Sequence, residues 1–407
     1  MNDLRLAFRS VFRNRVRSLI ALSAIVFGVA ALLISSGFIE WIFVNLREAT
    51  ILSRLGHIQV SRPGYFTDGT ADPFAYLLPE SSPEMASIAA TPHLKILTPR
   101  LSFGGLASHG ETTVSFLGEG VDPDKELAVS QMLSITQGRN LSADDPRGVI
   151  VGEGLAATMG IKLEEPIVLL AATASGGMNA VEGHVRGLFS SHTKAFDDTV
   201  LRLPIMTARE LLRAPGAHTW VILLDDTART DFLLRQFRAR FPESRSRLFF
   251  RPWWEMADFY TKTVRLFSRQ MGVVNLIIGL IIVLSISNTL TKSVLERTGE
   301  IGTLLATGTQ RRVVLKLFVL EGLVLGVVGG LAGLAIGIAI ARLISVIGIP
   351  MPPPPGSNRG YIAQILVTPP LAVRAFLVSV ATALLASLHP AWRASRLAIV
   401  DALRHNR

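Results

Sequence analysis

Apolar residues along this chain collect into four long runs, and the polar stretches between them alternate or recur at helical spacing. Residues 18–39 are uncharged and the run continues to about Val44. The second run, MGVVNLIIGLIIVLSISNTLT (271–291), carries no charge; the third, 317–341, carries only Glu321, and the fourth, 370–391, carries Arg374. Each reaches the ~20 residues that a helix needs to cross the hydrocarbon of a bilayer. The first run follows a basic start, as in a signal peptide. It is longer than an h-region, however, and shows no clear cleavage site, so we read it as a retained helix.

Between the first two runs, residues 45–270 read as mixed α and β. HIQVSRPG (57–64), TTVSFLGEGV (112–121) and HTWVILLDD (218–226) have strand character. GVIVGEGLAATMGI (148–161) reads as strand, turn and helix, TARELLRA (207–214) as a helix opened by a capping box, and TARTDFLLRQFRARF (227–241) as an amphipathic helix. Helical spacing continues from the first run through EWIFVNLREATILSRL (40–55), and PWWEMADFYTKTVRLFSRQMG (252–272) leads into the second run. Two stalk helices are therefore expected to carry this segment, with Trp253 and Trp254 packed in the stalk. The fold class expected is an α-helical membrane protein of four transmembrane helices, with a large mixed α/β periplasmic domain inserted between helices 1 and 2.

Charge orients the spans. The net +10 resides wholly in three short flanks: residues 1–18 carry +4, 291–316 carry +3 and 389–407 carry +3. Excess Lys and Arg beside apolar spans marks the cytoplasmic side, so both termini and the 291–316 loop are placed inside, and nucleic acid is not needed to explain the basicity. Glu40, Arg342 and Arg374 then fall near outer ends of spans, where they reach the headgroups, and Glu321 alone lies about a turn inside. Residues 2–18 put Leu4, Phe8, Val11 and Phe12 on one helical face, as an interfacial helix would. The resulting layout is an interfacial helix at 1–18, the first span at 19–44 with a stalk to about 55, and an outer core at 56–251. Stalk and second span follow at 252–291, a cytoplasmic loop at 292–316 and the third span at 317–347. An outer loop at 348–369, containing the stiff PMPPPPGSNRG, leads to the fourth span at 370–391 and a tail at 392–407.

In the third span Gly322, Gly326 and Gly330 form one four-residue ladder, and Gly329, Gly333 and Gly337 another. Small residues at this interval let helix backbones approach closely, within or between subunits. Enzyme chemistry is not visible. The chain has no cysteine, and no GxxxxGK[ST], HExxH or GxSxG. Its histidines (His57, His93, His109, His184, His192, His218, His389 and His405) are scattered, and Asp197–Asp198 reads as a solvated turn. No catalytic residue, metal site or bound cofactor is assigned to this chain.

The cytoplasmic loop contains ERTGEIGTLLATGTQRR (296–312), read as a short amphipathic helix that stops at Gly308. Apolar Ile301, Leu304 and Leu305 facing the cytoplasm would make it a docking surface. This region is similar to the signature of FtsX-like ABC transporter permeases, ER-x-x-EIG-x-x-x-A-x-G, through Glu296, Arg297, Glu300, Ile301, Gly302, Ala306, Gly308 and then Glu321. HPAWRASRLAIVDALR (389–404) resembles that family's closing motif through Pro390, Ala394, Ser395, Arg396, Ala402, Leu403 and Arg404, which sets an FtsX-like domain at about 271–400. GRNLSADDPRGVIVGEGLAATMGIKL (138–163) resembles the MacB-like periplasmic core of MacB and lipoprotein-releasing Lol permeases; Glu164–Glu165–Pro166 departs from it where Gly-Asp is usual.

The resemblance implies a dimeric mechanotransmission (type VII) permease of the bacterial inner membrane. A separate cytoplasmic ABC ATPase, holding ATP and Mg, would dock on residues 296–308 (Glu296, Arg297, Glu300, Ile301, Gly302, Leu304, Leu305, Ala306, Gly308). Its strokes would pass along the stalks to work on the far side. The partners implied are that ATPase, a second permease copy or paralogue, a periplasmic lipoprotein carrier or membrane-fusion protein, and membrane lipid. Lipoprotein release or export is the favoured activity, because extracting acyl chains at ~0.8 kcal/mol per methylene needs a power stroke. The outer half of the first span (Leu32, Leu33, Ile34, Phe38, Ile42) is apolar enough to line an acyl cleft. The alternatives are efflux of an antibiotic, peptide or other amphiphile, a non-transporting regulator of cell-wall hydrolases, and a membrane-bound periplasmic enzyme.

Overall fold

The computed structural model describes residues 15–69, 71–191, 193–352 and 360–397. The interfacial helix expected at 2–18 falls almost wholly outside them, as do the prolines at 353–355, His192, His405 and the motif residues Ala402, Leu403 and Arg404. Two compact units are present: Asn45–Lys262 with Met351–Tyr361, and the remaining segments.

Four helices among the described residues are long and apolar enough to cross a membrane, and the second of these units contains their apolar parts. They run Arg15–Thr50, Asp258–Glu296, Arg311–Ile347 and Pro369–Ser395. All outrun the apolar stretches that announce them. At 1.5 Å per residue the 39-residue second helix extends about 58 Å, against about 30 Å of hydrocarbon. The two glycine ladders of the third helix serve different neighbours. Gly322, Gly326 and Gly330 lie against Ser387, Ala383 and Ser379 of the fourth helix, whereas Gly329, Gly333 and Gly337 lie against Ile25, Val29 and Leu33 of the first. The close approach that small residues permit is thus made twice within one chain, on two faces of one helix.

The α/β unit is built on ten strands: β1 Ile58–Ser61, β2 Leu94–His109, β3 Thr112–Val121, β4 Ser134–Gly138, β5 Gly148–Gly152, β6 Pro166–Ala172, β7 Met178–Ser190, β8 Val200–Pro204, β9 Thr219–Leu224 and β10 Phe249–Pro252. They hydrogen-bond in the order β10-β1-β9-β2-β3-β8-β5-β7-β4, with β6 joining β2 to β7. β6 and the first part of β7 alternate between core and solvent; β1, β5, β8 and β9 are buried throughout, with no polar face exposed. Helices Ile205–Leu212 and Thr230–Arg240 supply Leu211, Leu212, Leu233 and Phe237 to the core around Trp220.

Four local expectations are corrected or sharpened here. Thr207 does not cap its helix, which begins two residues earlier at Ile205; its hydroxyl donates instead to the Pro146 carbonyl. Asp197 is not a solvated turn residue. It is fully buried and accepts hydrogen bonds from the Ser191 N–H at 2.9 and 3.0 Å and from the Ser190 hydroxyl, while burial pushes its pKa up. Trp253 is buried against Ile51, Val221 and Ala257 in a short 3-10 turn, and the second long helix begins only at Asp258. Glu164 has φ +63°, the left-handed region that favours glycine, at the position where the MacB-like pattern has Gly.

Candidate functional site

The second helix ends at Glu296, and Arg297 breaks the helical path at φ −103°. The short helix Thr298–Ala306 follows. It stops as the glycine predicts: Gly308 has φ +91°, its N–H reaches the Leu305 carbonyl, and the Thr309 N–H donates to the Leu304 carbonyl at 3.0 Å. The third helix starts at Arg311, with Arg311 and Arg312 exposed.

Arg297 ties this corner together. Its guanidinium lies 3.1 Å from Glu300, 3.6 Å from Glu321 and 5.8 Å from the centre of the Phe318 ring. Glu321, the charge left over by the topology, is buried on the third helix and partnered across the corner. A carboxyl group this deep is tolerable because a guanidinium faces it.

The face that the short helix turns inward differs from expectation. Ile301, Gly302 and Leu305 are buried, with Ile301 and Leu305 packed among Val294, Val314, Phe318, Ala391 and Ala394. Those partners include small residues of the fourth helix about 90 positions on, which the loop's own amphipathic pattern could not reveal. Glu296, Glu300, Thr303, Leu304, Ala306, Thr307 and Gly308 remain on the outside. The floor of the site was missed by sequence reasoning: Pro390, Ala391, Ala394 and Ser395 are all buried, which joins the closing motif to the loop motif in one cluster. The only sequence signal was small residues recurring on one face. Glu300, Ile301, Leu304, Val313, Leu317 and Phe318 line a mainly apolar cavity of about 260 Å³ at the helix edge. The arrangement presents a rigidly backed, mixed apolar and acidic knob, and among the described residues no nucleophile, acid–base pair or metal ligand set is assembled with it.

The residues proposed for an acyl cleft divide between the inside of the helix bundle and one half-buried face of the first helix. Leu32 and Leu33 are buried against Ala375 of the fourth helix, and Ile34, Phe38 and Ile42 are half-buried. Gly37 sits beneath Ile365, and its carbonyl accepts from the Leu366 N–H at 3.0 Å. Among the described residues no cluster of three or more His, Asp or Glu has a metal-holding arrangement.

Comparison with known proteins covers the whole chain. The FtsX-like permease C-terminal family matches residues 272–399, and the MacB-like periplasmic core domain matches residues 18–240. An uncharacterised ABC transporter permease, YvrN of Bacillus subtilis, is 25% identical over 100% of both chains. A macrolide export ATP-binding/permease protein MacB of Hyphomonas neptunium is 26% identical over 98% of this chain and 60% of its own length. The chain thus spans about three fifths of that exporter. The crystal structure of the periplasmic region of MacB from Actinobacillus actinomycetemcomitans matches 54% of this chain and 95% of its own at 15% identity, with a TM-score of 0.37.

Proposed function

Because this chain belongs to the ABC transporter permeases of the MacB/FtsX type, we propose that it is the membrane subunit through which a partner ATPase drives export of an amphiphile. The observation that carries this reading is the helix Thr298–Ala306, held between two membrane-spanning helices with Leu304 exposed and Ile301 and Leu305 locked beneath it. A flexible loop would absorb a push. A helix pinned by Arg297 to the third helix and by Ile301 to the fourth passes it on. ATP and Mg are assigned to the partner, since the 407 residues contain no phosphate-binding loop. The positive-inside charges support a cytoplasmic position for the helix and both termini, with the α/β unit outside. Burial of Gly302 makes a bulky replacement there a test of folding, whereas Leu304 reports docking alone. Leu304→Asp should therefore leave the permease inserted and its melting temperature unchanged, while co-purification of the ATPase falls at least fivefold. Equal recovery of the ATPase with both proteins would sink the docking role.

For the cargo, the curated relatives named as macrolide exporters favour a small amphiphile. The acyl-chain reading loses Leu32 and Leu33 to the bundle interior and keeps the half-buried Ile34, Phe38 and Ile42. Lipoprotein release from the inner membrane stands as the second reading on those three residues. Deletion should raise sensitivity to erythromycin at least fourfold, restored by the wild-type gene and not by Leu304→Asp. Unchanged sensitivity, together with capture of acylated protein by photo-crosslinkers at Phe38 and Ile42, would transfer the assignment to lipoproteins.

A further inference from the structure

The first long helix does not simply fray at its end. After Thr50 the chain widens into a π-helical turn, Ile51–Leu55, before Gly56 at φ +63° turns it into β1. The last carbonyls of a helix have no partner within it and carry the negative end of its dipole. Here each one is taken. Ile51 O accepts from the Gly56 N–H at 2.9 Å, Leu52 O from the Met132 N–H at 3.1 Å, and Leu55 O from the Gln59 side chain at 3.0 Å. Ser53 O accepts from the Ser130 hydroxyl and the Arg202 guanidinium, both at 3.4 Å, and Arg54 O from the Arg100 guanidinium.

The two arginines are themselves buried, at 1% and 3% side-chain exposure. Arg202 on β8 stands directly opposite Glu119 on β3 in the strand register and donates to it at 2.8 Å; Arg100 on β2 donates to Glu126 at 2.5 Å. Glu119 also accepts from Arg54 of the turn itself at 3.0 Å. Both Arg54 and Arg202 lie over the Phe196 ring. Burying four charges costs more than filling the same volume with apolar side chains, so such a cluster is weak evidence for stability and better evidence for geometry. What this one does with its spare donors is grip helix carbonyls.

We propose that Arg100, Glu119, Glu126 and Arg202 form a clamp that fixes the end of the first helix to the sheet, so that movement of that helix reaches the α/β unit without slack. They are positioning residues. The inference rests on the reading of the protein as a mechanically driven permease, but it is tested without nucleotide, ATPase or cargo, so either can fail alone. The chain lacks cysteine, which allows paired spin labels at chosen sites without background. In the full-length protein in nanodiscs, a label pair at Arg47 and Thr113 reads the helix end against the sheet. A pair at Thr113 and Phe232, both exposed, reads the α/β unit alone. In Arg100→Met/Glu126→Leu the charges are removed in balance and the volume is kept. The first distance distribution should at least double in width while the second stays at its wild-type width. The milder Arg100→Lys, whose ammonium lacks the fork needed to hold Glu126 and the Arg54 carbonyl together, should broaden the first pair in the same sense. Wild-type widths at Arg47–Thr113 in both variants would overturn the clamp. So would broadening of both pairs in Arg100→Lys, which would make the cluster an ordinary part of the core.

Discussion

Gly333→Leu should abolish recovery of folded permease from the membrane, and Gly333→Ala and Gly326→Ala should each lower its thermal stability in detergent. A Cβ at Gly333 would lie 2.7 Å from the Val29 Cβ and 3.1 Å from the Val26 carbonyl oxygen; one at Gly326 would lie 2.6 Å from the Ala383 Cβ. None of these three atoms is the free end of a flexible side chain, so backbones must separate. Overpacking of this kind costs about 1–3 kcal/mol per methyl group, and a leucine adds three more carbons at the tightest part of the bundle. Gly279 provides the internal control, because nothing stands within 4 Å of a Cβ placed there. Gly279→Ala should be neutral, or stabilising by up to about 1 kcal/mol through helix propensity. Size-exclusion profiles after heating would read the three alanine variants side by side. If Gly326→Ala and Gly279→Ala lost the monodisperse peak at the same temperature, the ladders would not be packing devices.

The same glycines show what the sequence could and could not disclose. Their spacing is local, so it announces close helix packing; which helix each ladder meets depends on Ile25, Val29, Ala383 and Ser387, far away in the chain. The apolar runs and alternating strands were legible for the same reason, since each strand or span carries its own period. Thr112–Val121 and Gly148–Gly152 form at the positions their patterns predict. Side-chain direction was legible only where one face meets solvent. Ile301 and Leu305 looked like an exposed apolar face because their cover, Ala391 and Ala394, lies on another helix. The clamp was invisible for a further reason. A charged residue in a strand reads as the solvent face, and only the register that sets Arg202 against Glu119 turns both into buried partners. Distance in sequence hid it, as it hid the joining of the two permease motifs into one cluster.

Two buried histidines should make the α/β unit acid-labile. His57 lies at the start of β1, its Nδ1 accepting the Leu224 N–H at 3.1 Å and its Nε2 3.0 Å from the Thr227 hydroxyl, which in turn donates to Glu48. His218 is stacked on Tyr65 and accepts the Ser102 N–H at 3.2 Å. Burial holds each at a pKa of about 4, below the ordinary 6.5. The unfolded chain therefore takes up these protons first. Their neutral forms support the fold fully above pH 6.5, and that support drains away as pH falls from 6.5 to 4. At about 1.4 kcal/mol per pKa unit, each histidine contributes on the order of 3 kcal/mol over this window. Below it Glu119 continues the trend: burial alone would raise its pKa, but Arg202, Arg100 and Arg54 bring it down to about 2 from 4.5, and its contribution is lost as pH falls through 2. Urea unfolding followed by tryptophan fluorescence would register this, since Trp220 is buried in the core of the unit. The midpoint should drop steeply between pH 6.5 and 4, and His57→Gln/His218→Gln, which has no proton to gain, should flatten the curve over that interval. A wild-type midpoint that stayed level from pH 6.5 to 4.5 would show that these imidazoles titrate alike in the folded and unfolded chain.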